Sequence, residues 1–249
     1  MSSATYGVRA QWDSRTVKAA LSALQPRQWA FATAMALTQT AKHVKGAELE
    51  TMRGVFDRPT PFTMNALYIQ GATRDRQEAR VWFKDFAPKG TPAGKYLLPQ
   101  VHGGERSDTR FERSLQRAGY LSKGKQLVPA SGAPRDAYGN VQRGMYTRIL
   151  SQLRASADPM QHSRRRKSRR QRARGGTFFY GNPGGKGRGI YARYHFAFGN
   201  TVRPIFLEMR NRPTYRKRFA FFAVAERTAG THMATEFNKA ADFTLRTAR

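Results

Sequence analysis

Apolar residues recur at helical spacing from Pro26 onward. Ala30, Ala34, Leu37, Ala41 and Val44 form one stripe, with Phe31, Met35 and Thr38 beside it. Proline suits the first turn of a helix, where its missing N–H has no partner to lose, so one helix is predicted from Pro26 to about Val55. Its stripe is rich in alanine, so a neighbouring backbone can approach closely, either from the chain's own core or from another subunit. Gly46 lowers helix propensity by about 1 kcal/mol and marks a candidate bend. Upstream, Asp13 or Ser14 can cap a short helix over about 15–24, where Val17, Ala20, Leu21 and Leu24 are helically spaced. Residues 1–12 read as a flexible arm.

The period changes at Arg58. Pro59 and Pro61 disfavour helix at the residues before them, so Arg58 and Thr60 are expected to be extended. Leu67, Tyr68 and Ile69 make an apolar, β-prone run. A polar turn at 73–77 follows, and then Val81 and Phe83 share one face while Trp82 points to the other. This predicts an antiparallel hairpin, roughly 66–71 with 78–85, around which the chain is organised. Pro59, Pro61, Trp82 and Phe83 are its structural residues.

Further on, 88–94 is a turn-rich loop and Tyr96–Val101 reads as extended. Ser107 or Asp108 can cap a helix through about Gly119, with Phe111, Leu115 and Ala118 buried. Residues 120–144 are irregular, with Leu121, Leu127, Val128 and Pro129 tucked inward. Met145–Leu153 is helical. Thr177–Tyr180 and Ile190–Phe198 alternate as strands, Gly199-Asn200 signals a turn, and Val202–Met209 returns. A closing helix is expected from about Arg216 to Thr247, with a possible break at Gly230-Thr231. Its buried side is drawn through Phe219, Phe222, Val224, Phe237, Phe243 and Leu245. No internal repeat is present. The whole, residues 1–249, is expected to form a single α+β domain.

Charge changes the picture most. Forty-five Lys and Arg oppose sixteen Asp and Glu, a net charge of +29. Such a chain repels itself unless a polyanion or acidic protein lies beside it. The charge peaks inside 155–176. Between Arg164 and Arg174, the eight residues Arg164, Arg165, Arg166, Lys167, Arg169, Arg170, Arg172 and Arg174 occur with no apolar side chain larger than alanine. That run has nothing to bury in exchange for its ordering, so it is expected to be a disordered, mobile insertion that contacts a polyanion or partner. It offers anion affinity without the positioned base contacts that sequence reading needs.

Candidate chemistry is sparse. The chain has no cysteine, which excludes disulfides, thiol catalysis and Cys-type zinc sites. His43, His102, His162, His195 and His232 are scattered. The glycine loop 181–189 lacks the phosphate-loop pattern and reads as a turn between strands. Asp85, Glu105, Asp108 and Glu112 are the nearest approach to an acidic cluster, and Asp108 and Glu112 would share a helix face. No nucleophile is paired with a base, so no catalytic residue, metal ligand or cofactor is expected. The N-terminal residues lack the apolar core of a signal peptide, and no run of about 18 apolar residues suggests a membrane span.

Taken in order, the Ala-rich helix, the Arg58-Pro59-Thr60-Pro61-Phe62-Thr63 junction and the Asn65-Ala66-Leu67-Tyr68 strand lead into the Arg80-Val81-Trp82-Phe83-Lys84-Asp85 strand. Arg203-Pro204-Ile205-Phe206 follows later, and Tyr215-Arg216-Lys217-Arg218-Phe219 introduces the closing helix. This order resembles the bacteriophage minor tail protein Z and tail-completion, or head–tail joining, proteins. The resemblance implies an antiparallel sheet packed against a long N-terminal helix and a C-terminal helix. It also implies a virion structural protein of the tail or neck, made in the host cytoplasm and assembled as a ring. Partners would be its own copies, connector, adaptor or tail proteins, and packaged DNA. It carries over no catalytic residues. The alternative class is a soluble, basic nucleic-acid-binding protein.

Overall fold

The computed structural model describes residues 26–87, 90–162, 176–185, 187–196 and 198–247. The arm 1–12 and the helix expected at 15–24 lie outside the described residues. In chain order the elements are α1 (Pro26–Val55), α2 (Pro61–Met64), β1 (Leu67–Gln70), β2 (Arg80–Phe83), α3 (Gly94–His102), β3 (Gly104–Glu105) and α4 (Arg110–Arg117). They continue as β4 (Leu127–Pro129), α5 (Arg143–Gln152), β5 (Thr177–Gly181), β6 (Gly189–Phe196), β7 (Gly199–Glu208), β8 (Thr214–Tyr215) and α6 (Phe221–Thr247). All strand pairs are antiparallel, so the fold is α+β. The chain divides into a helix unit, Met1–Gly103 with Arg216–Arg249, and a sheet unit, Gly104–Tyr215.

In the helix unit α1 packs along α6. Helix α1 buries an i, i+4 row: Ala32, Ala36, Thr40, Val44, Glu48 and Met52. This row shares Val44 with the predicted stripe, whose Ala34 and Ala41 are also buried while Ala30 and Leu37 are only half-buried. Ala32 and Ala36 meet Phe237, Ala240 and Ala241 of α6, and Thr40 Oγ1 lies 3.4 Å from Met233 Sδ. Small side chains on both helices permit this approach, and α1 continues through Gly46.

The predicted hairpin is present, with Leu67 opposite Phe83 and Gln70 opposite Arg80. Leu67 and Phe83 are buried with Met52, Leu97, Val101, Phe219 and Phe221. Arg58 is not extended: its φ is +46°. The last turn of α1 carries on through Phe56 N–H to Met52 O, and a left-handed residue is a common way to leave a helix. Thr60 is extended, as expected, and caps α2 by accepting from Thr63 N–H at 3.1 Å. Pro61 takes the first position of that helix, where its missing N–H is not needed.

Two other expectations in this unit are corrected. Tyr96–Val101 is helical, as part of α3, despite Pro99. The helix buries Leu97 and Val101, one turn apart, in the core, which offsets the bond lost at Pro99. Helix α6 begins at Phe221, because Arg218 and Phe219 both give their N–H groups to Gln100 O. It passes Gly230-Thr231 unbroken. Its buried row runs through Phe237, Ala240, Ala241 and Thr244, which turns Phe243 and Leu245 to solvent, at 51% and 42% exposure.

In the sheet unit four strands lie in the order β4-β7-β6-β5. Phe178, Ile190, Ala192 and Phe206 share a core with Phe111 and Leu115 of α4 and Met145 and Ile149 of α5. The register shifts between Ile190 and Tyr191, leaving Ile205 as an extra residue, and Ile205 and Phe206 are both buried. Only glycine fits at 189, since a Cβ there would stand 2.2 Å from Phe206 O. Helix α4 is capped by Thr109, not by Ser107 or Asp108. Thr109 and Glu112 form a reciprocal capping box that the earlier residues cannot reach. Gly199-Asn200 is not the turn but the first part of β7, with Asn200 opposite His195. Ala155 is buried and Asp158 caps a single turn at Pro159–Gln161.

Candidate interaction surface

Arg164, Arg165, Arg166, Lys167, Arg169, Arg170, Arg172 and Arg174 lie outside the described residues. Of the structural residues, Pro59 leads into Thr60, the cap of α2, and Pro61 opens that helix. Phe83 is 6% exposed, with Phe219 and Phe221 against it at centroid distances of 6.2 and 5.1 Å. Trp82, on the other face, is half-buried and meets Tyr68 edge to face at 4.8 Å. The same stretch therefore has a buried side and an outer side. Tyr68, opposite Trp82, is 48% exposed, and Phe62 and Phe86 of the same stretch are 50 and 78% exposed. An open apolar groove of about 380 Å3, lined by Phe31, Ala34, Met35, Thr38, Ala72 and Arg74, lies in the same unit.

Of the acidic residues flagged in the sequence, Glu112 and Asp108 are struts, whereas Glu105 and Asp85 are exposed. Glu112, 1% exposed, accepts from Leu127 N–H at 2.8 Å and Thr109 N–H at 2.7 Å, and pairs with Arg106. Asp108 accepts from the side-chain amides of Gln116 and Gln126, both at 3.0 Å. The Gln116 bond is the main cause that holds its carboxyl below the usual range. Glu105 pairs with Arg212 at 3.0 Å, and Asp85 belongs to the helix unit. Among the described residues no group of three or more His, Asp or Glu side chains is placed to hold a metal ion. His43 and His232 stack across α1 and α6, and His43 Nε2 lies 3.4 Å from Glu236.

Each face of the β6–β7 ribbon carries an arginine lying on an aromatic pair. On one face Arg203 sits 5.7 Å from the Tyr194 ring, which is stacked with Phe196 at 6.2 Å and 14°. On the other face Arg193 sits 5.1 Å from Phe179, which is stacked with Tyr191 at 5.9 Å and 23°. Strand β5 reaches only to Thr177, opposite Arg193. Among the described residues, Tyr194, His195 and Phe196 therefore pair only with Thr201, Asn200 and Gly199, and the ribbon extends past its sheet. Phe196 is 47% exposed and Phe198, at the tip, fully exposed. Sequence alternation located these strands, but the pairing of rings with arginines arises from cross-strand register, which alternation does not encode.

Glu48 has no exposed surface, and among the described residues neither carboxylate oxygen has a hydrogen-bond partner. Burial pushes its pKa up to about 8, so it is carried as a neutral acid at neutral pH. The only sequence signal was its place four residues after Val44. No family model, curated protein or solved structure matches the chain. No helix among the described residues is long and apolar enough to cross a membrane.

Proposed function

We propose that the chain is a non-enzymatic structural protein of a phage virion, completing or joining the tail as a ring of identical copies. The observation that carries the reading is the two-sided character of the 58–86 stretch, the one most specific to the tail-completion resemblance. Its inner residues Leu67 and Phe83 anchor it to the core, while Phe62, Tyr68 and Phe86 of the same stretch are left exposed. Exposed aromatics collected on one ordered segment suit a surface that another protein covers. In a ring, that surface meets a neighbouring copy or an adjoining connector, adaptor or tail protein, and the basic surface meets acidic neighbours or packaged DNA.

Electron microscopy of the purified chain tests this reading. Closed rings are expected. Tyr68→Ser combined with Phe86→Ser is expected to lower melting only slightly, through the lost Tyr68–Trp82 contact, and to yield smaller species, because both side chains are exposed. A chain that stays monomeric at high concentration, and phage particles that join heads to tails without it, would overturn the reading.

A further inference from the structure

We propose that the β6–β7 ribbon is a contact for single-stranded nucleic acid, with Arg193 and Arg203 on phosphates and Phe196 and Phe198 as stacking platforms for bases. This goes beyond the ring and does not depend on it, since every residue involved belongs to one sheet unit.

Charge selects an anionic occupant. The sheet unit holds 24 Lys and Arg against 6 Asp and Glu, a net of +18 out of the chain's +29. All six carboxylates are already engaged inside the unit. Glu105 and Glu112 are paired with Arg212 and Arg106. Asp108 takes two glutamine amides, and Glu208 takes the Tyr180 hydroxyl. Asp136 accepts from Tyr138 and Asn140 N–H, and Asp158 from Met160 N–H. Among the described residues of the unit, two cations, Arg106 and Arg212, are thus neutralised by ion pairs from within. Arg193 and Arg203 make no ion pair among the described residues; each lies on a ring instead. A guanidinium stacked on a ring keeps its N–H edge for a phosphate.

The rings select nucleic acid over an acidic protein. Carboxylates need only the cations, whereas bases also need flat apolar faces, and each face of the ribbon presents an arginine beside rings. Tyr194 and Phe196 set two near-parallel rings in succession along one face, with 14° between their planes. The ring of Phe198 is entirely open. In a duplex the base faces are covered by their neighbours, so exposed rings favour an unpaired strand.

The test uses the full chain and a fluorescein-labelled oligothymidylate, with anisotropy read over a salt series. Phe196→Ser and Phe198→Ser are each expected to weaken binding about ten-fold with the salt slope unchanged. Arg193→Gln and Arg203→Gln are each expected to lower that slope by about one. Binding to the corresponding duplex, and to polyglutamate, should be indifferent to the two Phe changes. Phe198 is wholly exposed, so its replacement removes no core, and unchanged melting verifies this. The proposal is overturned if the folded Phe variants bind oligothymidylate like the parent chain. It is also overturned if they lose polyglutamate to the same degree, which would assign the ribbon to an acidic protein.

Discussion

Phe83 and Phe221 meet with ring centroids 5.1 Å apart, tying the end of strand β2 to the first turn of α6. Phe219 adds edge-to-face contacts to both rings at 6.2 and 5.8 Å. A hairpin too short to stand alone in water is thereby fixed to the helix unit.

Phe83→Ala is accordingly expected to destabilise the chain by about 3–5 kcal/mol, the usual cost of removing a buried phenyl ring. Trp82→Ala, which removes a half-buried ring packed on Tyr68, should cost clearly less. Denaturant unfolding of both variants checks the order. Equal losses would mean that both faces of the ribbon are core.

Glu48 predicts an unusual pH dependence. The unfolded carboxyl titrates near its ordinary 4.5 and the folded one near 8, so the folded chain keeps a proton that unfolding releases. This group's contribution to stability is therefore whole below pH 4.5, falls as pH rises towards 8, and is constant above. Glu48→Leu should raise the melting temperature at pH 8 and gain little at pH 4.5, a difference on the order of 4 kcal/mol. Glu48→Gln should flatten the same slope. An unaltered pH profile in both variants would show that the carboxyl is not held neutral.

Glu112 joins α4, β4 and Arg106 through one buried carboxylate. Glu112→Ala leaves Leu127 N–H and the Arg106 guanidinium without their acceptor, and a loss of about 3–5 kcal/mol is expected. Hydrogen exchange should show faster opening at 106–129 before the α1–α6 pair is affected.

Gly189→Ala should fail to fold normally, since its methyl would overlap Phe206 O. A cost above about 2 kcal/mol is expected. By contrast Gly184→Ala meets open space, and only its left-handed backbone, φ +63°, resists the change. Comparing the two melting curves separates crowding from backbone strain.

The long helices, the β1–β2 hairpin and the β5–β6–β7 strands were legible because their apolar periods are strong and local. Where local rules were overridden, tertiary contacts were responsible. Pro99 argued against helix, yet burial of Leu97 and Val101 imposed one. Phe243 and Leu245 are apolar, yet close packing of Ala240 and Ala241 against α1 fixed the rotation of α6 and left both outside. Glu105, Asp108 and Glu112 were legible as a cluster but their partners were not, since Gln126 and Arg212, which complete it, are distant in sequence. The eight basic residues singled out between Arg164 and Arg174 lie outside the described residues, so the described surface rests on Arg193 and Arg203 instead.

The helix unit is discontinuous in the chain, and the sheet unit is inserted within it. On the ribosome α1 emerges well before α6, so Ala32, Ala36 and Thr40 lack their α6 partners while the whole sheet unit is being made, whereas Met52 already has Leu67, Phe83 and Leu97 to pack on. The sheet unit draws only on contiguous sequence and can close first, because domains fold as units during synthesis. Translation thus sets an order in which the inserted unit matures while the Ala32–Ala36 face of α1 waits for α6. Closure of Ala32 and Ala36 on Phe237, Ala240 and Ala241 is therefore one of the last events in forming the molecule.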